Sequence, residues 1–131
     1  MIGLDTNVIV RYIMQDDPKQ ARLASRLIEE LTADVPGFIP LVVVIELVWV
    51  LSSSFELARA QITSALEILL QIKEIQVERA EVVWRALRIY REGSADFADC
   101  LIERSAVAAG CLRTMTFDRG AAKNCSMTLI Q

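Results

Sequence analysis

The chain contains no histidine. Its absence removes every Ser-His and Cys-His nucleophile scheme, and with them the imidazole that so many zinc sites use. Cysteine is almost as scarce. Cys100, Cys111 and Cys125 are odd in number, far apart and without a CxxC pair, so they read as reduced thiols in small core positions, not as zinc ligands. Five glycines and three prolines are too few for an all-β fold built on tight turns. A membrane-length apolar run is also missing. The stretch LVVVIELVWVL at 41–51 would reach only about 16 Å as a helix, against roughly 30 Å of hydrocarbon. Pro36, Gly37 and Pro40 bound it on one side and Ser52, Ser53 and Ser54 on the other. The N-terminus MIGLDTNVIVRY lacks a basic leader region, and Asp5 interrupts its apolar core, so the expectation is a cytoplasmic protein without a membrane segment. Any catalysis must then come from carboxylates, hydroxyls, lysine, arginine or a metal.

What is present suits a compact globule. Of the 131 residues, 53% are hydrophobic and 24% charged, which fits one domain, 1–131, with a substantial core. IGLD reads as a short buried strand ending at Asp5. Thr6 and Asn7 open a helix carrying Val8, Ile9, Tyr12 and Ile13. After the Asp17-Pro18 break, Leu23, Ala24, Leu27, Ile28 and Leu31 mark an amphipathic helix. Phe38 and Ile39 suggest a short strand. The 41–51 run has the β-branched content of a strand but the length of a buried helix, and helix is the expectation. Phe55 to Ile72 predicts another helix, Ile75 to Val77 a strand, Arg79 to Arg91 a helix and Asp96 to Ala109 a helix stopped by Gly110. Thr114 to Phe117 reads as a strand, Asp118-Arg119-Gly120 as a turn, and Met127 to Ile130 as a last strand. Short buried strands alternating with helices imply an α/β fold, three layers deep, with a mainly parallel sheet.

The acids fall in a pattern. Ligands of open parallel sheets bind beyond the carboxyl ends of the strands, where Asp5 and Asp118 are expected. Asp96 and Asp99 lie together on the helix preceding the Asp118 strand. Glu46 is a lone acid among ten apolar residues. Placed there it should leave water, and an isolated buried charge costs several kcal/mol unless it is paired or holds a metal. Each acid alone has a plain structural reading, as a helix cap, a turn residue or half of an ion pair. Together they would repel one another by on the order of 4 kcal/mol per pair at 4 Å unless a cation intervened. All-oxygen ligands select magnesium or manganese.

LDTN at 4–7, the glutamate within VVVIELVWVL, DFADCLIERSAVAAG at 96–110 and TFDRG at 116–120 resemble, in order and spacing, a PIN-domain protein. More narrowly they resemble the VapC-type toxin ribonucleases of bacterial toxin–antitoxin pairs. The resemblance implies a three-layer α/β/α fold and Mg2+- or Mn2+-dependent hydrolysis of RNA phosphodiesters. Matched motif by motif, it implies catalytic acids at Asp5, Glu46, Asp99 and Asp118, with Asp96 as a further metal ligand. Asn7 and Thr116 would support the first and last of these. Independently of the resemblance, Arg119 adjoins Asp118, where it is either a substrate-phosphate contact or a plain solvated arginine. The resemblance also implies a cognate antitoxin, with Tyr12 and the 55–72 helix as candidate contact surface, and a homodimer. One departure stands out: Gly120-Ala121 follows Arg119 where the family pattern carries a further acid and an aromatic.

A net charge of −3 looks wrong for an RNA binder, but neutralising those five acids leaves +2 on the rest of the chain. Two rival expectations remain: a catalytically impaired PIN scaffold that only binds, and a receiver-like phosphoacceptor domain. The receiver design wants a second acid near the first strand, and a lysine after a late strand. This chain supplies only Asp5, and Lys123 falls beyond the Asp118 turn.

Overall fold

The computed structural model describes the whole chain, Met1–Gln131, as two compact units, Met1–Glu78 and Arg79–Gln131.

The first unit holds β1 (Ile2–Gly3), α1 (Thr6–Met14), α2 (Pro18–Glu29), β2 (Gly37–Ile39), α3 (Leu41–Ser53), α4 (Arg59–Gln71) and β3 (Ile75–Val77). The strands pair in parallel in the order β1-β2-β3, with Ile2 opposite Gly37 and Phe38 opposite Gln76. Parallel neighbours need crossover connections, and the helix pairs α1–α2 and α3–α4 supply them. Every strand therefore ends at the same edge, where Asp5, Pro40 and Glu78 follow. On the central strand, a Cβ added at Gly37 would meet Leu31 Cδ1 at 2.8 Å and Leu4 Cδ1 at 3.0 Å, so the ends of both buried leucines would have to shift. At the start of α3, Pro40 offers no side-chain cap. The Glu78 carboxylate takes that role, accepting from the Leu41 amide at 2.8 Å.

Two expectations are corrected in this unit. Helix α3 does form over the 41–51 run, but it is buried on one face only, through Val43, Val44, Leu47, Val48 and Leu51. Glu46 lies on the other side and is exposed, as are Val42, Ile45 and Trp49. An apolar sequence does not by itself enclose a helix, so Glu46 never loses its water. Helix α4 begins at Arg59, not Phe55. Glu56 takes a left-handed φ of 53°, which breaks any continuous helix, and Gln61 Oε1 then accepts from the Ala58 amide at 2.8 Å to close the new start.

The second unit holds α5 (Ala80–Glu92), α6 (Phe97–Ala108), β4 (Met115–Thr116), α7 (Arg119–Asn124) and β5 (Thr128–Leu129). Helices α5 and α6 pack together. Tyr90 meets Phe97 edge-on, with ring centroids 5.6 Å apart. Strands β4 and β5 pair in parallel through the α7 connection. Gly110, at φ 93°, stands just past α6 in a conformation that suits glycine.

Here Asp118-Arg119-Gly120 is not a turn but the start of α7. The Asp118 carboxylate accepts from the Ala121 amide, and that cap converts a turn-like sequence into a helix. The cysteine reading also needs one change. Cys100 and Cys125 are buried, with their sulfurs 3.7 Å apart, but Cys111 is exposed. No helix is long and apolar enough to cross a membrane.

Candidate functional site

In the first unit Asp5 follows β1 and caps α1, its Oδ1 accepting from the Thr6 amide at 2.6 Å. The extended Asp5 backbone ends the strand, and the carboxylate satisfies one of the amides a helix start leaves unpaired. One oxygen is spent on that cap, and Oδ2 is left for other work. Thr6 is buried, and its hydroxyl donates to Glu46 Oε1. Glu46 is thus held by a threonine and not neutralised by an arginine. Asp5 and Glu46 line one cavity of about 570 Å³ together with Thr6, Asn7, Arg11 and Asp16. Asp16 is already engaged with Arg11 Nη1 at 3.3 Å.

In the second unit Asp96 caps α6, its Oδ1 accepting from the Asp99 amide at 3.1 Å. Asp99 itself stands in the first turn of that helix. Asp118 caps α7 through Oδ1 at 3.0 Å, and its own amide donates to Thr116 Oγ1 at 3.0 Å. Thr116 therefore fixes the backbone from which Asp118 projects. Partial burial pushes the Asp99 carboxyl above the usual range, and the negative charges of Asp96 and Asp118 push it further. These three acids share one electrostatic field.

Gly120 acquires a physical reason in this setting. A Cβ there would stand 3.1 Å from Asp118 Oδ1, so the glycine keeps space beside the carboxylate. Arg119 is exposed at the first position of α7. Glu103, which the motifs did not single out, is buried, but Arg104 engages both of its oxygens at 2.6 and 2.9 Å. That hydrogen bond raises the Arg104 pKa above its ordinary value, and the pair is structural.

The donor set suits a hard cation. Its ligating atoms are carboxylate oxygens, and Asp96 and Asp118 add negative charge around the partly buried Asp99. No three acidic or cysteine side chains are, however, gathered into a group that could hold a metal ion as they stand. Sequence reasoning missed Thr6 and Arg11, both of which line the Asp5–Glu46 cavity. Thr6 stood inside the LDTN motif and was taken only as a helix starter. Arg11 follows Asn7 by one helical turn, a spacing that puts both on one face of α1.

Residues 2–125 match the PIN domain family. The chain belongs to that family. A VapC ribonuclease of Aquifex aeolicus (strain VF5) is 27% identical over 117 residues, covering 88% of this chain and 86% of that protein. PIN-domain membership and the parallel strands bear out the α/β fold class expected from the sequence, the three-layer PIN type.

Proposed function

We propose that the protein is a metal-dependent endoribonuclease of VapC type, the toxin of a toxin–antitoxin pair, acting through residues 1–131 as one PIN domain. The carrying observation is the match of residues 2–125 to the PIN domain family, with Asp99 raised by partial burial and then by the charges of Asp96 and Asp118, acids that a PIN nuclease would use. The similarity to a VapC ribonuclease along most of both chains supports the same reading.

In this proposal Asp5, Glu46, Asp99 and Asp118 are the catalytic acids, and with Asp96 they hold Mg2+ or Mn2+. When bound, the ion supplies Lewis-acid activation of water and stabilises charge on the phosphate. The chain's own contribution is to hold its acids in place. Caps at Asp5, Asp96 and Asp118 each use Oδ1 and leave Oδ2 for an ion. Thr6 steadies Glu46, and Thr116 steadies the backbone of Asp118. Asn7 borders the cavity beside Asp5, and Arg119, exposed at the start of α7, would contact the RNA.

The proposed partners are RNA, a cognate antitoxin and a second copy of the chain, all in the cytoplasm. Tyr12 and α4 line a cavity of about 750 Å³, which gives an antitoxin segment a groove to enter. Incubating the purified protein with RNA and Mn2+, with and without chelator, tests the proposal. Cleavage that needs the ion and disappears in Asp99→Asn supports it. Binding without cleavage at any ion concentration assigns the chain to the scaffold class instead.

A further inference from the structure

The Arg11 side chain is oriented by two neighbours. Its Nε donates to Gln20 Oε1 at 2.7 Å, and its Nη1 reaches both Asp16 oxygens at 3.3 Å. The first contact is short and fixes the plane of the guanidinium. The second is longer than a well-formed charge-assisted bond, and both partners are about one-third exposed, at 30% and 37%. Nη2 makes no hydrogen bond, so its two N–H groups keep their donor capacity. A guanidinium held at Nε and Nη1, with Nη2 left over, can still donate to an incoming oxyanion.

Its position says which oxyanion. Arg11 borders two cavities at once. One is the acid cavity of about 570 Å³ with Asp5 and Glu46. The other, of about 450 Å³, runs along α2 and is lined by Val8, Leu23, Ala24 and Leu27. Asn7 also borders both, one helical turn from Arg11. The second cavity has apolar walls for a base or ribose, and each is large enough for a small ligand group. Arg11 is the only cation lining either cavity.

We propose that Arg11 binds a backbone phosphate of the RNA strand, seating the adjoining nucleotide in the α2 cavity while the neighbouring one faces Asp5 and Glu46. This rests on the proposed ribonuclease function and names a residue and a subsite for it. Arg11 is a substrate-contacting residue in this scheme, and Gln20 positions it.

The test measures binding of a fluorescein-labelled, mixed-sequence single-stranded RNA by anisotropy over a range of salt. The full-length protein carries Asp99→Asn so that the RNA stays intact. Adding Arg11→Gln is expected to weaken binding roughly tenfold at low salt and to flatten the log–log salt slope by about 0.7, the loss of one phosphate contact on a single strand. Arg11→Lys keeps the charge and most of the slope. Leu23 is 55% exposed at the rim of the α2 cavity, so substitution there leaves the fold intact. Leu23→Glu should weaken RNA binding and Leu23→Arg tighten it.

An unchanged slope in folded Arg11→Gln overturns the inference, as does indifference of binding to the charge at Leu23. Should Arg11→Gln not fold, the two Leu23 variants decide the matter alone. Failure of the parent to bind RNA at all removes the ribonuclease proposal too, whereas binding by the parent with unresponsive variants removes only the role of Arg11.

Discussion

The Thr6 hydroxyl donates to the Glu46 carboxylate, joining α1 to α3 across 40 positions of sequence. The same residue's amide donates to Asp5 at 2.6 Å, so one buried threonine touches two exposed acids. Thr6→Val keeps the shape and removes only the hydroxyl. Losing such an outer partner is expected to lower Mn2+ affinity or RNA cleavage by about 10–100-fold, with Thr6→Ser restoring most of it. Full activity in the valine variant, measured beside Mn2+ titration, shows Thr6 to be packing alone.

The raised carboxyl of Asp99 sets a pH dependence of known sign. The native protein keeps this proton to higher pH than the unfolded chain, whose value is near 3.8. Between those two values the native state binds more protons, so this group's contribution makes stability fall as pH rises through the window and level off above it. Asp99→Asn removes that dependence and should raise Tm at neutral pH while abolishing cleavage. Thermal melts of the metal-free protein at a series of pH values check both parts, and a lower Tm for the variant at neutral pH contradicts the first.

A divalent ion that binds only the folded chain must stabilise it. At a concentration one hundred times its Kd the gain is about 2.7 kcal/mol, read as a rise in Tm on adding Mn2+. Chelator should reverse the rise, and Asp99→Asn should reduce it. Identical melting curves with and without Mn2+ remove the metal from the proposal.

Gly37→Ala probes the central strand. The new methyl would come within 2.8 Å of Leu31 Cδ1 and 3.0 Å of Leu4 Cδ1. Overpacking of this kind is expected to cost about 1–3 kcal/mol in urea unfolding, although alanine is otherwise the less flexible residue. A neutral result would show that both leucines can change rotamer freely.

Gly120→Ala sets two effects against each other. Alanine favours helix α7 by up to about 1 kcal/mol, so Tm should hold or rise. Its Cβ also presses on Asp118 Oδ1 from 3.1 Å, so cleavage should fall several-fold. A drop in activity without loss of stability separates crowding of the carboxylate from damage to the fold.

Much of this protein was legible one residue at a time. The absence of histidine, the ordered acidic motifs and the alternation of short strands with helices are local facts, and they led to the α/β class and the PIN family. Capping was legible in part, at Asp5 and Asp96, because a capping side chain reaches an amide only one to three residues away; Asp17 and Asp118 make the same contact but read as a break and a turn.

Tertiary packing decided the rest. The 41–51 run is apolar nearly throughout, yet only contacts with other elements determine which face is enclosed, and they left Glu46 in water. The hydroxyl that holds Glu46 comes from Thr6, far away in sequence, and Arg11 gains its place from Gln20 and Asp16 on and before the next helix. Sequence determines which groups a chain carries and which local bonds they can close. Burial, and the choice of a distant partner, depend on where other elements come to rest, which no local pattern encodes.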